Sequence, residues 1–72
     1  MYNVGGSIAM YKISQIMYEY SRMSLSDRKA NANKVKSQLY EYIRYFNTCG
    51  EYIDADELLK GYFTKYPTVD GI

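Results

Sequence analysis

The 72-residue chain contains ten tyrosines, one cysteine, no histidine and no tryptophan, with nine basic and eight acidic side chains. Without histidine, a serine or cysteine nucleophile lacks its usual base, and one cysteine excludes an intrachain disulfide and the common zinc sites. The nearly balanced charge gives no general attraction to nucleic acid or to anionic membranes. We therefore expect one domain over residues 1–72 that is not an enzyme and holds no metal or cofactor.

The expected location is the cytoplasm. A lone cysteine is typical of a reducing compartment. No stretch approaches the roughly 18 consecutive apolar residues of a membrane span, and the start of the chain lacks the basic and apolar regions of a signal peptide. A chain this short buries a small core, which favours association with itself or with another protein.

The first helix is predicted over residues 7–23. Gly5-Gly6 precedes it, and Ser7 is the expected N-cap. At about 100° per residue, the apolar side chains collect in a narrow arc that predicts a core-facing surface. This surface comprises Ala9, Ile13, Ile16, Met17 and Tyr20, flanked by Met10 and Met23.

The opposite face of this helix has an unusual composition for a solvent-exposed surface. Its members are Ile8, Tyr11, Gln15, Tyr18 and Arg22, where a free-standing helix would carry Lys and Glu. Tyrosine and arginine are enriched where proteins meet, so we predict a protein-binding surface, with a homodimer as another use of the same residues. Two alternatives stay open: the chain's own termini cover this face, or it is exposed without a function.

The second helix is predicted over residues 26–47, capped by Ser24 or Ser26 and ended by Cys49-Gly50. Its apolar positions follow helical spacing and comprise Ala32, Val35, Leu39, Tyr42, Ile43 and Phe46. Tyr40 and Tyr45 flank this row on opposite sides. They are interpreted either as rim residues of the binding surface or as boundary residues that widen the core.

The third helix is predicted over residues 54–66. Asp54 stands three residues before Glu57, as in a capping box, and Ile53 and Leu58 are placed as a hydrophobic staple. Pro67 ends the helix. The acidic residues near its start lack the spacing of a calcium-binding loop and are typical of a first helical turn. The fold is therefore expected to be all-α, a compact three-helix domain with short extended termini.

The predicted function is that of a small protein-binding module, of the kind that phages and mobile elements encode as inhibitors or accessory proteins, acting by steric occlusion. The alternative is a DNA-binding regulator. Residues 34–63 loosely resemble the opening two helices of helix-turn-helix and winged-helix domains, but the recognition helix that should follow is missing before Pro67. A modest basic patch begins the second helix. This candidate nucleic-acid-binding set is Arg28, Lys29, Lys34 and Lys36. A third option is a small-ligand pocket among the tyrosines.

Overall fold

The computed structural model describes residues 4–50 and 52–68. Three α-helices follow one another along this part of the chain: α1 Val4–Ser21, α2 Leu25–Thr48 and α3 Ala55–Lys65. The described residues contain no strand, so the predicted all-α, three-helix fold is confirmed. The predicted extended termini fall mostly on residues 1–3 and 69–72, which lie outside the described residues.

The start of α1 differs from the prediction. The helix begins at Val4 and runs through Gly5-Gly6, so Ser7 lies in the first helical turn and is not the N-cap. Glycine disfavours a helix by only about 1 kcal/mol per residue. This penalty is small enough for the helix to continue through both glycines, and Ala9, a few residues later, is buried.

Three other helix ends follow local signals in the sequence. The side chain of Ser24 accepts a hydrogen bond from the Asp27 amide at 3.2 Å, so the cap of α2 is Ser24 and the helix starts at Leu25, one residue before the predicted boundary. Gly50, with φ of 106°, adopts the left-handed conformation expected after a helix. The side chain of Asp54 accepts from the Glu57 amide at 3.2 Å and caps α3 as predicted.

The first two helices form an antiparallel hairpin. Ala9 lies beside Tyr45 near one end of it, and Met23 lies in the same groove as Asn31 near the other end. The side chains buried between the helices all belong to the predicted apolar rows, which confirms the predicted core faces. These side chains are Ala9, Ile13, Tyr20, Ala32, Val35, Leu39 and Ile43.

The third helix runs back along α2. Its contacts with α2 occur in reverse chain order, with Asp56 beside Tyr40 and Pro67 beside Arg28. Its contact with α1 is an aromatic cluster of Tyr20, Tyr62, Phe63 and Tyr66, in which the rings of Tyr20 and Phe63 meet edge to face at 5.2 Å. The apolar row predicted from the sequence for this helix does not include Phe63; its members are Ala55, Leu58, Leu59, Tyr62 and Tyr66.

Candidate interaction surface

The outer face of α1 carries the residues that the sequence singles out for partner binding. We call this row the α1 stripe: Ile8, Tyr11, Gln15, Tyr18 and Arg22. All five side chains are exposed, with Tyr11 at 65% and Tyr18 at 60% of their full accessibility. The stripe therefore faces away from the core, as predicted. The alternative in which the termini cover it concerns residues outside the described part of the chain.

The far end of the stripe is ordered by contacts at the end of α1. The guanidinium of Arg22 donates from Nη1 to the hydroxyl of Tyr18 at 2.7 Å and lies 5.4 Å from the centre of that ring. Hydrogen bonds from the amides of Arg22 and Met23 to carbonyls three residues earlier tighten the end of the helix. Tyr18 and Arg22 thus present an aromatic ring and a cation as one preformed unit.

The other end of the stripe borders an open groove between α1 and α2. The groove has a volume of about 450 Å³, and its lining includes Ile8, Ala9, Tyr42 and Tyr45 together with the charged Glu41 and Arg44. Ile8 and Tyr45, both predicted to bind a partner, are brought together here although they are 37 positions apart in sequence. Their proximity depends on the register of the hairpin, which neither helix specifies on its own.

Tyr40 lies elsewhere and has a partner within the chain. Its hydroxyl donates to Oδ1 of Asp56 at 2.7 Å and links α2 to α3. This hydrogen bond to a carboxylate, followed by burial and by the nearby charges of Asp56 and Asp54, raises the pKa of Tyr40 above its ordinary value. The structure separates Tyr40 from the α1 stripe and gives it a role in holding α3.

The candidate nucleic-acid-binding residues differ in their surroundings. Arg28 is half-buried and donates from Nε to the carbonyl of Pro67 at 3.1 Å and from Nη1 to the carbonyl of Met23 at 3.0 Å. The Nζ of Lys36 lies 5.1 Å from the centre of the Phe63 ring. Lys29, Lys34 and Lys36 are all exposed. Arg28 is therefore held by contacts inside the fold, whereas the ammonium group of Lys36 contacts an aromatic ring and remains at the surface.

Two of the described acidic residues near α3 have partners within the chain. Asp54 caps the helix and Asp56 accepts from Tyr40. Among the described residues, no group of three or more His, Cys, Asp or Glu side chains is placed to hold a metal ion. Cys49 is half-buried at the end of α2, where its amide donates to the carbonyl of Phe46 at 3.0 Å.

Sequence reasoning missed two contacts that decide how these side chains are used, Arg28 with Pro67 and Tyr40 with Asp56. Both join residues that are distant along the chain, so local spacing carries no signal for them.

In the described residues, no helix has the length and hydropathy required to cross a membrane. Comparisons with protein-family models, with curated proteins and with solved structures found no match to this chain.

Proposed function

We propose that this chain is a small protein-binding module that docks onto a protein partner through the α1 stripe. The single observation that carries the proposal is the exposure of a row of large side chains on one face of one helix. Scattered exposed apolar residues are ordinary on protein surfaces. A periodic row that includes Ile8, Tyr11 and Tyr18, all more than half exposed, is a different feature, because such a row matches the apolar groove or helix face of a partner.

The chemistry of the row supports a protein partner. Tyr and Arg are the residue types that most often dominate binding energy at interfaces. The hydrogen bond to Tyr18 restrains the rotamer-rich side chain of Arg22 before binding, so less conformational entropy is lost when a partner docks. Binding in this mode acts by covering the partner's surface and requires no catalytic group on this chain.

The test is site-specific photo-crosslinking. A photoreactive phenylalanine analogue placed at Tyr11 or at Tyr18 should yield crosslinked protein adducts in extracts of the native host. The matched control is the same analogue at Tyr52, which is 79% exposed and lies off the α1 stripe. Equal adduct yields from all three positions would contradict the proposal. Tyr11→Ala combined with Tyr18→Ala should abolish capture of the same adduct partner while the far-ultraviolet circular dichroism stays helical.

The purified protein and its tyrosine variants also test the DNA-binding alternative. Retention on DNA that falls steeply with salt, and that is lost on Lys29→Ala with Lys34→Ala, would favour nucleic acid, since phosphate contacts release counterions. We expect weak retention that is insensitive to the tyrosine substitutions, because Arg28 is engaged inside the fold and few cations remain on this surface.

A further inference from the structure

We propose that the partner of the α1 stripe is α1 of a second copy of this chain, aligned antiparallel about a twofold axis. This inference rests on the proposed function and specifies its partner. Three observations lead to it: the spacing of the stripe, the charges on one of its edges, and the complementarity of its two halves.

The spacing of the stripe is that of a coiled-coil seam. Its members follow one another at intervals of three, four, three and four residues, the pattern of the core positions of a heptad repeat. On a helix this spacing keeps the side chains in a nearly straight row that another helix can contact along its length. Most of this row lies on α1, so the seam presents an aligned surface.

The two edges of the seam differ in charge. Lys12 and Glu19 stand at equivalent heptad positions on the edge that faces α2, and both line a groove with α2 residues. On the opposite edge the equivalent positions are Ser14 and Ser21. One edge thus carries a cation and an anion seven residues apart, and the other carries only hydroxyl groups.

These charges distinguish the two orientations of a second copy. In an antiparallel pair with the axis near Gln15, like edges meet, and Lys12 of each copy approaches Glu19 of the other. In a parallel pair, each charged edge meets a serine edge. Arg22 of one copy then lies against Arg22 of the other, and the two like charges repel each other. Charge complementarity therefore selects the antiparallel arrangement.

The antiparallel arrangement also brings the aromatic residues of the two copies into contact. A twofold interface requires that if one residue contacts a second, the second contacts the first across the axis. With the axis near Gln15, Tyr11 of each copy lies against the preformed Tyr18–Arg22 unit of the other. Ring stacking and cation–π contacts are available there twice.

The contact is short, so we expect a weak dimer. It spans most of α1, whose 18 residues measure about 27 Å at 1.5 Å per residue. Interfaces at the small end of the size range are transient. The dimer should therefore form with a dissociation constant on the order of micromolar or weaker and appear only at high protein concentration.

The test is charge reversal followed by sedimentation equilibrium at low salt. Lys12→Glu alone and Glu19→Lys alone each place like charges together at two sites, so each should weaken the dimer about tenfold. Mixing the two single variants in equal amounts restores both ion pairs, and so does Lys12→Glu combined with Glu19→Lys. Both samples should return to wild-type affinity. Tyr11→Ala with Tyr18→Ala should remain monomeric.

Two results would overturn the inference. A wild-type chain that stays monomeric at every concentration has no second copy on its stripe, and single charge reversals that associate like wild type exclude the antiparallel edge contact. A monomer whose position 11 crosslinks to a different protein would overturn this inference and leave the proposed function intact. A monomer without stripe-specific crosslinks would overturn both.

Discussion

Three tyrosine hydroxyl groups connect the helices of this small fold. The hydroxyl of Tyr40 bonds to Asp56 on α3, and that of Tyr62 donates to the main-chain carbonyl of Met17 on α1. The hydroxyl of Tyr20 lies at the long distance of 3.5 Å from the carbonyl of Arg28. Phenylalanine would fill the same space, but it would leave the Met17 carbonyl and the Asp56 carboxylate without these donors. This accounts for part of the tyrosine content that the composition alone leaves unexplained.

The hydroxyl of Tyr62 gives the fold a dependence on alkaline pH. Burial, with smaller effects from Tyr66 and Tyr20, raises the pKa of Tyr62 from 10.0 to about 12. The folded state then holds this proton more tightly than the unfolded state, so the contribution to stability is complete below pH 10.0 and is lost as the pH rises to about 12. We expect Tyr62→Phe to make the fall in the free energy of unfolding across this window shallower.

Urea unfolding at a series of pH values measures this effect. Tyr52→Phe is the control, since Tyr52 is the most exposed of the large hydrophobic side chains described, and it should leave the slope unchanged. An unchanged slope in Tyr62→Phe would mean that the hydroxyl of Tyr62 does not titrate differently in the folded and unfolded states.

Arg28 shows that the role of a charged side chain cannot be predicted from its neighbours in the sequence. Beside Lys29 in the sequence it has the appearance of a surface cation. Its guanidinium instead bonds to the Pro67 carbonyl, 39 residues away, and to the Met23 carbonyl. The planar group with several donors suits two such acceptors at once. No local sequence pattern encodes a contact of this range. The sequence therefore predicts a positive charge at this position but not the carbonyls to which it bonds.

At the scale of the element, the capping residues are the most reliable local signals. Asp54 accepts from the Glu57 amide and starts an 11-residue helix that is too short to be stable alone. We expect Asp54→Ala to lower the free energy of unfolding by about 0.5–2 kcal/mol, because the amide loses its partner. Asp54→Asn keeps a side-chain oxygen that accepts this bond, and it should retain most of the stability.

Chemical denaturation of the two variants, with amide hydrogen exchange of Glu57, measures this difference. Faster exchange at Glu57 in Asp54→Ala than in Asp54→Asn is the expected result. Equal stability of Asp54→Ala and wild type would place the start of α3 at another residue.

The ends of the helices were predictable to different degrees. Ser24, Gly50 and Asp54 act through their own side chain or backbone geometry, which the sequence displays. The start of α1 was not predictable in this way. There the unfavourable helix propensity of Gly5-Gly6 predicts a later start, whereas the helix extends through both glycines to Val4.

At the scale of the whole molecule, the fold class was predictable because each helix has its own apolar row. The register between helices was not, since it depends on contacts between distant residues. The same division applies to the candidate site. The α1 stripe was predicted from helical spacing within one segment, and the structure shows that its side chains are exposed. The groove shared by Ile8 and Tyr45 and the link from Tyr40 to Asp56 require two helices to be placed together.

The side chain of Tyr20 on α1 contacts both α2 and α3. It is fully buried on α1, its ring lies 5.9 Å from that of Tyr62 and 5.2 Å from that of Phe63 on α3, and its hydroxyl reaches the Arg28 carbonyl on α2. Truncation of a buried aromatic residue typically costs about 3–5 kcal/mol. Small domains have free energies of unfolding of roughly 5–15 kcal/mol, so this loss is a large fraction of the total stability.

We therefore expect Tyr20→Ala to lower the free energy of unfolding by about 3–5 kcal/mol and to loosen α3 first, because α3 meets α1 through the aromatic cluster. Tyr11→Ala is the matched control on the same helix. Its side chain is 65% exposed, and its removal should change stability by no more than about 0.5 kcal/mol. Urea unfolding gives the total effect, and amide exchange shows whether α3 opens before the α1–α2 hairpin. Uniform loss of protection in all three helices would mean that the hairpin has no stability independent of α3.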